Sequence, residues 1–246
     1  MPFLIAAFFI TALLYASVGF GGGSTYAALL ALSGLDYRLL PVLALACNIV
    51  VVAGSSVRFA RAKVTPWRGA LLLTALAAPA AFLGGLTPID EATFMLLLGA
   101  SLVLTGITML MPTADGSDAM PMQFARYVGV VAVPLGYIAG LVGIGGGIFL
   151  APLLHLTRWN NARAVAATAS FFILVNSLFG LAGQLIKSGS GVLSGAVAGG
   201  FALLISVAIG GQIGSLLAVR VLPLRWIRWL TAALVTIVGA RLLLGF

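Results

Sequence analysis

Six stretches of this chain are apolar almost without interruption: Pro41 to Val57, Gly69 to Leu86, Ala92 to Met111, Val165 to Ile186, Val192 to Val219 and Ile227 to Leu244. A helix needs about 20 apolar residues to cross a hydrocarbon layer of roughly 30 Å. Inside that layer every backbone N–H and C=O must be satisfied within the protein, which leaves helices as the form open to such runs. Composition points the same way. Of 246 residues, 62% are hydrophobic and 7% charged, whereas soluble domains carry about a quarter charged residues. The expected fold class is therefore an all-α polytopic membrane protein, multi-pass in the cell inner (plasma) membrane. The net charge of +8 is spread over short loops, where it sets orientation and meets anionic lipid headgroups. Membrane lipids are thus expected partners and nucleic acid is not. Cys47 is the single cysteine, which rules out an intrachain disulfide. Met1-Pro2-Phe3-Leu4 lacks the basic start of a secretory signal, and the segment it opens recurs in mid-chain.

That recurrence is an internal repeat. Tyr15-Ala-Ser-Val-Gly19-Phe-Gly-Gly-Gly23 leads through apolar residues to Leu32 and then to Asp36-Tyr-Arg38. Tyr137-Ile-Ala-Gly-Leu-Val-Gly143-Ile-Gly-Gly-Gly147 leads to Leu156 and then to Asn161-Ala-Arg163. Three further apolar segments follow each unit. The division is into an N-terminal repeat, residues 1–111, a linker, 112–125, and a C-terminal repeat, 126–246. The polar run Pro112 to Gln123 carries the linker.

Basic residues favour the cytoplasmic side and so decide how each unit sits. If each glycine-broken unit returns to the side it entered, Arg58, Arg61, Lys63, Arg68, Arg126, Arg158, Arg163, Arg220, Arg225 and Arg228 share one side, ten against the three of Arg38, Lys187 and Arg241. If each unit crosses once, the count is seven against six. The first arrangement predicts two inverted-topology repeats, each a glycine-broken helical hairpin plus three transmembrane helices, with both termini outside the cytoplasm. A re-entrant hairpin and two short tilted crossings both satisfy it.

The breaks themselves are the candidate site. Consecutive glycines within a helix cost about 1 kcal/mol each relative to alanine, and backbone freed at membrane depth must meet protein or line a cavity. A helix starting after the break offers unpaired N–H groups and the positive end of its dipole. Such a start, bare of Cβ atoms, suits an oxyanion, and paired breaks in corresponding positions of two halves point to a transporter's central site. The candidate substrate-binding residues are Gly19, Gly21, Gly22, Gly23, Ser24, Thr25 and Asn48 in the first half. In the second half they are Gly143, Gly145, Gly146, Gly147, Thr168, Ser170 and Asn176. Gly19/Gly23 and Gly143/Gly147 also read as G-x-x-x-G helix packing, as do Gly136/Gly140, Gly195/Gly199 and Gly210/Gly214. Neither run satisfies G-x-G-x-x-G.

The duplicated G-[FI]-G-G-G unit, a length near 250 residues and Pro152 after the second run resemble the sulfite exporter TauE/SafE family over essentially the whole chain. The resemblance implies transport of a small sulfur-containing anion such as sulfite or an organosulfonate, usually export, coupled to an ion gradient. It carries over the glycine runs and the Thr168-Ala-Ser170 stretch. Ala28 stands where the second half has Pro152, and Leu45-Ala-Cys47-Asn48 matches the Thr-Ala-Ser stretch loosely.

Asn48 and Asn176 lie within apolar spans and read either as interhelical hydrogen bonds or as ligand contacts. Ser177 and Gln184 are further candidates, and Gln212 reads as packing support. His155, the single histidine, reads as a neutral imidazole at the interface; its replacement by alanine is expected to leave the pH dependence of transport intact. Trp67, Trp159, Trp226 and Trp229 fit an interfacial aromatic belt. No carboxylate falls within a span, and no nucleophile–base pair or metal-ligand set is visible. Catalytic and metal residues are accordingly none, no cofactor is expected, and an enzyme is disfavoured. A proton or another ion is the expected coupling partner. The alternative is an anion channel or a permease for another small oxyanion.

Overall fold

The computed structural model describes residues 2–17, 19–110, 122–157, 159–217 and 224–245. Among them it is all-helical: α1 (Pro2–Ser17), α2 (Gly23–Leu32), α3 (Leu39–Arg61), α4 (Trp67–Leu86), α5 (Glu91–Leu110), α6 (Met122–Val142), α7 (Gly147–Leu156), α8 (Ala162–Leu217) and α9 (Leu224–Leu244). Of the expected linker, residues 112–121 lie outside the described residues, and α6 already begins at Met122.

Among the described residues, four segments are long and apolar enough to cross a membrane: Leu39–Arg61, Trp67–Leu86, Glu91–Leu110 and Arg163–Ser188. Their surfaces suit lipid. On α4 the buried face is mostly of small residues, among them Ala70, Ala77, Ala81 and Gly84, with Leu73 the one buried leucine, while Leu71, Leu72, Leu76 and Leu83 are exposed. A soluble helix buries its leucines. Here small residues let neighbouring backbones approach closely, the mode of packing that holds helices together in lipid. Asp90 caps α5 outside the apolar region: Thr93 donates to its carboxylate from both backbone N–H (3.1 Å) and hydroxyl (2.7 Å). These bonds hold the Asp90 carboxyl below its ordinary pKa range.

α8 doubles back on itself. Ser177 and Asn48 both border Gly145, and Gly180 lies against Leu45; further on, Gly200 meets Leu43 and Gly211 meets Val51. A straight helix would hold Ser177 and Gly211 about 51 Å apart, yet their neighbours Asn48 and Val51 are within one turn on α3. The reversal falls between Lys187 and Gly200. The single helical element thus supplies two limbs, in line with the two expected spans Val165 to Ile186 and Val192 to Val219. The first limb runs antiparallel to α3 and the second parallel to it.

Other directions follow from the glycine contacts. α6 runs parallel to α4, Gly136 facing Ala77 and Gly140 facing Ala81. The second limb of α8 runs parallel to α1, with Gly210 on Phe9, Gly214 on Leu13, and the Ser206 hydroxyl donating to the Ile5 carbonyl (2.9 Å). α5 and α9 are antiparallel: Gly99 and Gly239 face each other, and Gly106 meets Ala232 and Thr236. Gly136/Gly140 and Gly210/Gly214 therefore pack helices as expected, whereas the side-chain surroundings of Gly195/Gly199 lie outside the described residues. A Cβ on Gly140 would overlap the Ala81 carbonyl. Gly140→Leu is expected to destabilise the protein by about 3 kcal/mol through overpacking, seen as a lower melting temperature in detergent.

Charge separates the two ends. Arg58, Arg61, Lys63 and Arg68 cluster at the α3–α4 turn, and Arg163 borders the same depression as Lys63. At the other end Arg38 adjoins Tyr37, whose ring packs on Phe94 of α5, and Lys187 donates to the Thr87 carbonyl (3.3 Å). Arg241 closes α9 at that same end. The side chains of Arg126, Arg158, Arg220, Arg225 and Arg228 lie outside the described residues, as does that of Trp226. Trp67 and Trp229 are exposed, and Trp159 packs over Gly69.

Candidate functional site

The two glycine runs fold alike at their first and fourth positions and differ at the third, where Gly145 is left-handed (φ +79°) and Gly21 is not. Gly19 and Gly143 both have left-handed φ values, +81° and +85°, and Gly22 and Gly146 repeat this at +82° and +76°. After the first of these turns Phe20 N–H donates to the Tyr15 carbonyl (2.9 Å) and Ile144 N–H to the Ala139 carbonyl (3.2 Å). Gly22 and Gly146 then occupy the N-cap positions of α2 and α7 with no side-chain cap, so the first N–H groups of both helices lack helical partners. A left-handed φ is open to glycine at little cost. Residues 19–22 and 143–146 are not helical while Gly23 and Gly147 open α2 and α7, so neither pair, Gly19/Gly23 or Gly143/Gly147, lies on the face of a single helix.

The fold brings the two breaks together at Asn48, midway along α3. Its amide Nδ2 donates to the Ile144 carbonyl (3.1 Å) in the second break. A Cβ on Gly21 or Gly23 would overlap this amide, one on Gly145 would come within 2.7 Å of Nδ2, and one on Gly23 would lie 2.5 Å from the Ile144 oxygen. Ser177 joins them, its Oγ 2.9 Å from the same point on Gly145. A second link runs the other way. The Ser170 hydroxyl on α8 donates to the Gly19 carbonyl. Each half thus places a side-chain donor on a backbone carbonyl of the other half's break.

The remaining candidates divide by their partners. Ser24, Thr168 and Asn176 are buried, and their side-chain polar atoms have no protein partner; the same holds for Asn48 Oδ1 and Ser177 Oγ. Buried polar groups are costly when unpaired, so these side chains keep hydrogen-bonding capacity that the protein itself does not meet. Thr25 is engaged with the Tyr15 hydroxyl (2.8 Å), a brace between α1 and α2. Gly22 packs on Thr11, Tyr15 and Tyr26, Gly143 on Pro41, Gly146 on Ala139 and Phe172, and Gly147 on Ile173. These four shape the turns without meeting Asn48. Gln184 Nε2 donates to the Gly140 and Leu141 carbonyls (2.9 and 3.1 Å) while its Oε1 has no partner, and Gln212 accepts from Arg58 (2.6 Å) rather than serving packing alone.

Two participants are not evident in the sequence. The Ile144 carbonyl carries no signal there, since every residue has the same backbone oxygen. Tyr26, buried beside Gly22 with an unpartnered hydroxyl, could have been suspected from its place two residues after Ser24. The groups meeting at the breaks are amides, hydroxyls and backbone N–H. Among the described residues no group of His, Cys, Asp and Glu is placed to hold a metal ion.

The family described as sulfite exporter TauE/SafE matches residues 4–242. The chain belongs to this family. Among curated proteins it is similar to a probable membrane transporter protein of Sinorhizobium fredii, 34% identical over 98% of this chain and 97% of the relative. A probable membrane transporter protein of Methanocaldococcus jannaschii is 27% identical over 78% of this chain and 75% of its own length. One from Xylella fastidiosa is 29% identical over 63% of this chain and 59% of its own. No solved structure matches. Family membership and the apolar helices together make this TauE/SafE chain an integral membrane protein and a membrane transporter.

Proposed function

We propose that this protein is a secondary carrier that exports a small sulfur-containing anion, sulfite or an organosulfonate, from a site formed by its two glycine breaks. The observation that carries the reading is the junction at Asn48, where Gly21, Gly23, Ile144, Gly145 and Ser177 meet. Backbone N–H groups, an amide and hydroxyls recognise an oxyanion without a buried countercharge. Neutral donors also let the anion leave, as a carrier requires. The family name supports sulfite or a relative of it as cargo.

The division into residues 1–111 and 126–246 as inverted repeats has its own support. Helices in corresponding positions, α3 with the first limb of α8 and α5 with α9, run antiparallel. In an inverted repeat they must. The basic end would face the cytoplasm of the inner membrane, and both termini the opposite side. A reporter fused after Phe246 is expected to behave as non-cytoplasmic; a cytoplasmic signal would reject this topology. Alternating access would rock the halves about the central junction, breaking the Asn48–Ile144 and Ser170–Gly19 links in turn, with no chemistry performed on the cargo and with a proton or other ion as driving partner.

The deciding experiment is flux in proteoliposomes with sulfite, sulfoacetate, taurine and sulfate. Saturable exchange of one of the sulfur anions, weakened by substitution at Gly145, is the expected result. Unitary conductance would make the protein a channel, and indifference to all four anions would remove the sulfur assignment.

A further inference from the structure

A depression of about 620 Å³ opens at the basic end of the bundle, between the α3–α4 turn and the α7–α8 turn, away from the glycine breaks. Lys63 and Thr65 line it from one half of the chain, Asn160, Asn161 and Arg163 from the other. Its polar lining consists largely of donors. The Asn160 Oδ1 accepts from Asn161 N–H (2.8 Å) and the Asn161 Oδ1 from Ala164 N–H (2.9 Å). Both amide oxygens are thereby spent on backbone, which leaves the two NH2 groups as donors beside two exposed cations. No carboxylate is among the described residues that line the depression.

Lys63 is also the one non-glycine residue among those described with a left-handed backbone, φ +56°. α3 ends in paired bonds, from Lys63 N–H to the Ala60 carbonyl (3.1 Å) and from Val64 N–H to the Phe59 carbonyl (3.3 Å). The position Lys63 occupies in such an ending is ordinarily glycine, because a Cβ is strained there. Arg58 and Arg61 in the last turn already supply positive charge for the C-terminal end of the helix dipole. An outlier kept against its conformational preference is a mark of use. Here it carries a cation to the rim of a donor-lined hollow.

We propose that this depression is a second oxyanion site, in which Lys63 and Arg163 hold a sulfite-, sulfonate- or phosphate-type group, either as a free anion or as the headgroup of an anionic lipid. It does not depend on what the central junction carries. Lys63→Gly is an apt variant, since glycine suits the helix ending and the protein should melt no lower than wild type. Arg163→Gln is its companion. Purified protein in neutral phosphatidylcholine nanodiscs would be titrated with sulfite and with inorganic phosphate, following the emission of Trp159, which neighbours Asn160. In parallel, phosphatidylglycerol retention would be read by native mass spectrometry. If the site takes free anions, each variant weakens the titration about tenfold, the loss of one charge-assisted hydrogen bond. If it takes headgroups, each variant loses the retained phosphatidylglycerol. Wild type and both variants behaving alike in the two arms would overturn the proposal. Gly23→Val, which strikes the central junction, should leave both arms unchanged, so a failure of one site is distinguishable from a failure of the other.

Discussion

Gly23→Val is expected to reduce anion flux about 100-fold while leaving a monodisperse, folded protein. Gly23 opens α2, and its φ is not left-handed, so valine meets no backbone strain there. What it meets is the junction. The added Cβ would stand 2.5 Å from the Ile144 carbonyl oxygen and overlap the Asn48 amide. The two breaks would have to separate, and the proposed site between the starts of α2 and α7 would come apart. Losing two hydrogen bonds to a charged group removes about 3 kcal/mol of binding, which is about 100-fold. Gly34→Val is the matched control. Gly34 has φ +69° but nothing within 4 Å of its added Cβ, so it introduces strain in a loop without touching the site. Comparable flux from both variants would remove the junction from the transport path.

The contrast between these two glycines shows what the chain discloses in its sequence and what it withholds. The breaks were legible because glycine acts locally. Gly-Phe-Gly-Gly-Gly and Gly-Ile-Gly-Gly-Gly stop a helix wherever they stand, and the structure starts helices of equal length at Gly23 and Gly147. The apolar spans were legible for the same reason, since crossing length is a local property. Partners were not. Thr25 follows Ser24 and offers the same hydroxyl, yet its hydroxyl is taken by Tyr15 and that of Ser24 is not. Gly143 belongs to the same motif as Gly145 but lies on Pro41, whereas Gly145 lies on Asn48 and Ser177. Asn48 was visible as a polar residue in an apolar span; that it reaches across to a carbonyl 96 residues away depends on how two halves dock. The reversal within α8 likewise rests on contacts with α3, Gly180 on Leu45 and Gly200 on Leu43.

Asn48→Asp should be more damaging to flux than Asn48→Ala. The two variants share one loss: the Ile144 carbonyl is left without its donor, a cost of about 1–3 kcal/mol for a buried acceptor. Alanine adds nothing further and leaves room, so the breaks can settle closer and flux should fall about tenfold. Aspartate keeps the shape of asparagine but sets a carboxylate beside the junction proposed to hold the anion. Like charges at contact distance in a buried site oppose each other strongly, and flux should fall by about 100-fold or more. The sign with pH is distinctive. A protonated carboxyl carries no charge and can donate its O–H to the Ile144 carbonyl, so the Asn48→Asp protein should regain activity as pH is lowered. The Asn48→Ala protein should follow the wild-type profile throughout. Flux measured across pH in the three proteins tests this directly: equal losses in both variants, with no recovery in acid, would mean that Asn48 holds the two halves together but does not face the anion.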